Sequence, residues 1–87
     1  MYEFLITQYI SNLTKNDIVK FALSHGIELK EDELNFIFYH VTNNWRTIIY
    51  GNPNTIFNEA KTKLSTLTYN KVITLYQYFK EKFQNYL

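Results

Sequence analysis

Glu31-Asp32-Glu33-Leu34-Asn35-Phe36-Ile37-Phe38-Tyr39-His40-Val41-Thr42-Asn43-Asn44-Trp45-Arg46-Thr47-Ile48-Ile49-Tyr50 runs twenty residues without a glycine or proline and then meets Gly51-Asn52-Pro53. Leu34, Ile37, Phe38, Val41, Trp45 and Ile48 recur at helical spacing and fall on one narrow stripe, which predicts an amphipathic helix over residues 31–50 with its indole turned into a core. Three acids open the stretch, where the positive end of a helix dipole favours them. A cap followed by proline, Asn52-Pro53, starts the next helix in the expected order. The opposite side of the same stretch collects Phe36, Tyr39, His40, Asn43, Arg46, Thr47 and Tyr50, a face of rings with polar tips.

Working outward, apolar residues keep the helical period almost everywhere, and the chain has two glycines and one proline. This pattern predicts an all-α bundle of about five helices, over residues 2–11, 15–25, 31–50, 53–63 and 66–86, forming a single domain of residues 1–87. The first helix lines up Tyr2, Leu5, Ile6, Tyr9 and Leu13. The second has Thr14 and Asp17 at the spacing of a capping box, turns Ile18, Phe21 and Ala22 inward, and closes at Gly26, suited to a left-handed position. Ile27 and Leu29 alternate with Glu28 in an extended connection. The fourth helix presents Ile56, Phe57, Ala60 and Leu64. Ser65 or Thr66 caps the last, which turns Val72, Leu75, Tyr76, Phe79 and Phe83 inward and leaves Asn70, Thr74, Gln77 and Glu81 outward.

Eighty-seven residues give one small core that buries about 60–65 % of the unfolded chain's surface. There is no cysteine, hence no disulfide, no thiolate nucleophile and no thiolate metal site, so packing or self-association must supply the stability. The amino terminus lacks the basic residues of a secretory signal, and no apolar run spans a bilayer, so the chain reads as cytoplasmic with no membrane partner. Residues 1–51 carry four basic and six acidic side chains and residues 52–87 carry five and two, a mild dipole that would favour contacts between copies.

Catalysis finds little support. His25 adjoins the helix end at Gly26 and His40 is a lone ring on a mixed face. Neither has a local partner for a triad, and there is no phosphate-cradling glycine loop, no histidine pair at zinc spacing and no EF-hand pattern. The chain is therefore read as no enzyme, with no catalytic residue, metal or cofactor and no small-molecule ligand. A small enzyme using His40 and Tyr39 beside Arg46 ranks third among the readings. The first is a protein-interaction module that docks a protein partner or a second copy of itself, a homodimer, through Tyr39, Asn43, Arg46 and Tyr50, since rings and arginine supply much of the energy of compact interfaces. The second is a weak nucleic-acid accessory protein using an edge of Lys61, Lys63, Lys71 and Lys82 with Tyr78 interleaved for stacking.

Leu13-Thr14, Asp17-Ile18, Phe21-Ala22, Gly26-Ile27, Leu29 and Leu34 resemble the helix, extended turn and helix of small SAP- or LEM-like modules, over a quarter of the chain. The acids around this turn would repel phosphates. Over nearly the whole chain, Leu13-Thr14-x-x-Asp17-Ile18-x-x-Phe21-Ala22, Gly26-Ile27-x-Leu29, Asn44-Trp45-Arg46-Thr47-Ile48-Ile49-Tyr50-Gly51 and Leu75-Tyr76 with Lys80-x-Lys82 resemble a family of short uncharacterised helical proteins from low-G+C Gram-positive bacteria. That resemblance implies a small bacterial cytoplasmic helical protein and brings no activity, substrate or catalytic residue.

Overall fold

A computed structural model describes residues 2–83, without the side chains of residues 2, 79, 82 and 83. The chain is all-helical over this range: α1 is Tyr2–Ser11, α2 Lys15–Ser24, α3 Glu31–Asn43, α4 Trp45–Ile49, α5 Asn54–Lys63 and α6 Thr66–Phe83. The expected extension of the last helix to residue 86, and the inward placing of Phe79 and Phe83, lie outside the described residues. The chain divides into two compact units, residues 1–45 and 46–87.

In the first unit, α1 and α2 both pack on α3. The start of α2 is set by its own sequence. Asp17 donates its backbone N–H to Thr14 Oγ1 at 3.1 Å and its carboxylate accepts the Thr14 N–H at 2.9 Å, so two otherwise orphaned donors at the helix start satisfy each other's residues. The Thr14 backbone N–H, then its hydroxyl, then the Lys20 charge hold the Asp17 carboxyl below its ordinary value near 3.8. A carboxyl depressed in the folded state contributes stability above its unfolded value and loses it as the pH falls through the lower folded value. Thermal melts of the wild type and Asp17→Asn at a series of pH values will therefore differ most near neutrality and converge in acid. A gap independent of pH would contradict this.

The end of α2 is closed by backbone geometry. Gly26 has φ of 75°, donates to Leu23 O at 3.0 Å, and is followed by Ile27, which donates to Ala22 O at 2.8 Å. These two bonds are the Schellman pair, and Ala22 and Ile27, the residues such a motif brings into apolar contact, are both buried. The chain then runs extended through residues 27–30 with Ile27 buried, Glu28 exposed and Leu29 half-buried, the alternation expected. Phe21, expected inward, is instead 46 % exposed. Its ring lies 4.5 Å from that of His25, so the pair covers itself beside the helix end while the small Ala22 makes the close approach.

α3 begins as expected but contains a surprise in its first turn. Glu31 and Asp32 are exposed, whereas Glu33 is 2 % exposed. Its Oε1 accepts the Lys30 N–H at 3.0 Å, so the third acid works as a buried cap for the helix start.

The helix expected over residues 31–50 is divided. α3 stops at Asn43, Asn44 takes φ −128° and ψ 20°, and α4 begins at Trp45. Thr42, Asn43 and Asn44 are three consecutive poor helix formers whose side chains bond backward. Thr42 Oγ1 donates to Phe38 O at 2.7 Å, Asn43 Nδ2 to Tyr39 O at 2.9 Å and Asn44 Nδ2 to His40 Nδ1 at 3.0 Å. Such local bonds compete with the helix ladder and turn the chain at Asn44. Trp45, expected in the core, is 5 % exposed and is much the largest of the buried side chains.

In the second unit, α5 packs on α6. Pro53 occupies the cap position and Asn54 the first helical one, a shift of one residue from the expected start, and Asn52 still supplies the capping oxygen by accepting the Asn54 N–H at 3.0 Å. Ala60 and Leu64 are buried and Ile56 and Phe57 half-buried, as their spacing predicts. Ser65 starts α6: its Oγ accepts the Thr68 N–H at 3.2 Å and donates to Thr68 Oγ1 at 2.9 Å. Bonded in this way, Thr68 is buried without an unsatisfied hydroxyl.

Candidate functional site

The four residues expected to dock a partner are all exposed. Tyr39 and Asn43 belong to α3 in the first unit, and Arg46 and Tyr50 to the second. The single helix expected to carry all four is divided between Asn43 and Trp45, so a constant rotation of 100° per residue does not run through them. Arg46 and Tyr50 lie one helical turn apart, Tyr50 donating its N–H to Arg46 O at 2.8 Å.

Gly51 closes this corner for a different reason from Gly26. Its N–H is shared between Arg46 O and Thr47 O, each at 3.1 Å, and among the described residues positive φ belongs to Gly26. A Cβ at position 51 would come within 3.1 Å of Thr47 O and 3.2 Å of Thr47 Cα. The glycine is needed for close backbone approach.

His40 is half-buried and packs against neighbouring rings. Its ring centroid lies 4.5 Å from that of Phe36 and 5.1 Å from that of Tyr39, edge-on. The Asn44 side-chain amide lies 3.0 Å from His40 Nδ1. These contacts use His40 to hold the end of α3. Among the described residues no group of three or more His, Asp or Glu side chains is arranged to hold a metal ion. No helix there is long and apolar enough to cross a membrane.

The basic edge is less uniform than its spacing suggests. Lys61 and Lys63 fall in the last turn of α5, where a cation favours the helix dipole. The Lys61 ammonium sits 5.9 Å from the centroid of the Tyr69 ring. Lys63 is exposed, Lys71 is half-buried on α6, and Tyr78 is exposed. The side chain of Lys82 lies outside those described.

The sequence reading placed α1 correctly but named none of its residues as a candidate surface. Of the residues that its spacing lines up on one face, Leu5 is 57 % and Tyr9 68 % exposed. Ile6, Ile10 and Leu13, spaced four and three apart, form the half-buried flank. Packing on α3 leaves Leu5 and Tyr9, four residues apart, in solvent together with Phe4. The available signal was the width of the α1 apolar arc.

No protein-family model, curated protein or solved structure matches this chain. The likeness to short helical bacterial proteins therefore rests on the segments quoted for it.

Proposed function

We propose that this protein is a small helical protein-interaction module whose first partner is a second copy of itself. The uncovered half of the α1 arc carries the reading. Among the described residues nine large hydrophobic side chains are exposed against five buried hydrophobic ones, and three of the nine, Phe4, Leu5 and Tyr9, fall within six residues of one helix. Scattered apolar side chains are ordinary on a surface, whereas a cluster on one helix marks a surface that something covers. Tyr39 and Asn43 on α3, and Arg46 and Tyr50 at the corner, extend the set of anchors. The acidic first part and basic second part of the chain are complementary between copies, which would orient them.

Sedimentation over a range of concentrations tests this. The wild type should shift from monomer to dimer mass, Leu5→Gln with Tyr9→Gln should hold the chain at monomer mass with its helix content intact, and Arg46→Ala with Tyr50→Ala should weaken association. A wild type that stays monomeric at every concentration ends the self-association reading. Unchanged association in both pairs of variants ends the assignment of these faces.

The exposed Tyr78, on the same strip of α6 as Lys71, keeps nucleic acid as the second reading. Retention on single-stranded oligonucleotide that weakens steeply with salt, and drops on replacing Lys61, Lys63 and Lys71, would place it first.

A further inference from the structure

The second unit contains an open cleft of about 470 Å³, within the size range of sites for small organic ligands. One wall is a single face of α6, where Ile73, Tyr76, Gln77 and Lys80 recur at intervals of three, one and three. The other is the turn Gly51-Asn52-Pro53-Asn54 with Phe57 on the first turns of α5. The walls divide by chemistry. Phe57 and Tyr76 meet edge to face with centroids 4.9 Å apart, and with Ile73 and Pro53 they supply the apolar part of the lining. The polar rim consists of Asn52, Asn54, Gln77 and Lys80, which all carry N–H donors, and among the described residues no acid lines the cleft. Asn52 Oδ1 is engaged by the Asn54 N–H, which leaves its Nδ2 as the group to offer. Lys80 holds its ammonium 5.6 Å from the Tyr76 ring centroid and 3.3 Å from the Tyr76 hydroxyl, so the one charge on the rim is tethered beside the aromatic wall. The cleft also borders the positive end of the ten-residue α5.

We propose that this cleft binds a small aromatic carboxylate, its ring against Phe57 and Tyr76 and its carboxylate on the Lys80 ammonium and the Asn52 and Gln77 amides. A cleft that sets an aromatic wall beside amide donors and, among the described residues, a single cation selects an aromatic anion over a neutral ring, which leaves the charge unpaired, and over a bare anion, which leaves the ring wall wet. The assignment uses the second unit alone and is independent of the self-association reading.

The test is a backbone-amide NMR titration with phenylacetate as the probe, set beside 2-phenylethanol and inorganic phosphate. Phenylacetate should produce saturable shifts concentrated at Gly51, Asn52, Asn54, Gln77 and Lys80, with affinity in the millimolar range or tighter. Lys80→Gln should weaken it roughly tenfold, as loss of one charge-assisted contact does, and Lys80→Arg should retain most of it. Lys80 is exposed, so neither variant disturbs the core. Absence of saturation, indifference to Lys80→Gln, or binding of phosphate or 2-phenylethanol as tight as that of phenylacetate would each overturn the proposal.

Discussion

Trp45→Ala will unfold this protein or bring it close to unfolding. Among the described residues Trp45 is the one large ring of the buried hydrophobic set, the others being two alanines, an isoleucine and a leucine. Removing a buried aromatic side chain costs about 3–5 kcal/mol, the lost transfer energy plus the cavity left behind. Small domains have total stabilities of roughly 5–15 kcal/mol and chains of this size lie toward the lower end. Each kcal/mol moves the melting temperature of a 60–100-residue domain by about 4–8 °C, so the variant should melt at least about 12 °C below the wild type or show no cooperative transition. Circular dichroism is the suitable probe, because the substitution removes the chain's only tryptophan. Trp45→Phe, which keeps a ring in the space, should recover most of the loss. A Trp45→Ala melt within about 3 °C of the wild type, less than the shift from 1 kcal/mol, would mean that the indole is not the packing element its burial indicates.

The second large effect is expected at Gly26. With φ of 75° this residue occupies the left-handed region, where a Cβ crowds the following carbonyl and costs about 1–2 kcal/mol. Gly26→Ala should destabilise by that amount, against the usual trend that replacing glycine with alanine stabilises by reducing the freedom of the unfolded chain. The two Schellman bonds, from Gly26 to Leu23 O and from Ile27 to Ala22 O, depend on this conformation and place buried Ile27 against the unit's core. Gly26→Asn should cost less than Gly26→Ala, since asparagine tolerates the left-handed region. Urea unfolding of the three proteins distinguishes these outcomes. Equal stability of Gly26→Ala and wild type would show that the closure of α2 does not depend on the sign of φ.

The two glycines illustrate how far local reading reaches. Both stand at helix ends, and spacing alone assigns them the same task of stopping a helix. At Gly26 the reason is the left-handed backbone. At Gly51 it is proximity of the Thr47 carbonyl, which depends on how tightly the last turn of α4 closes. The helix starts at Thr14, Asn52-Pro53 and Ser65 were legible because a cap is a contact between residues two or three apart. The break at Asn44 had a signal in the run Thr42-Asn43-Asn44, but the regular stripe on either side, from Leu34 to Val41 and on to Trp45 and Ile48, outweighed it. That break divides the single helix on which Tyr39, Asn43, Arg46 and Tyr50 had been placed together.

What the sequence determined by itself is the helical class, the absence of thiol chemistry, the caps that start α2, α5 and α6, and the burial of Trp45, Ala22, Ala60 and Leu64. These follow from backbone hydrogen bonding within a few residues and from apolar periodicity. Only the tertiary structure decided that Leu5, Tyr9 and Phe21 face solvent, that Glu33 is buried as a cap, and that Asn52, Phe57, Tyr76 and Lys80 line one cleft. Periodicity gives the angle of a side chain about its own helix axis. Whether a neighbour lies at that angle depends on contacts between residues distant in the chain, which no local pattern encodes.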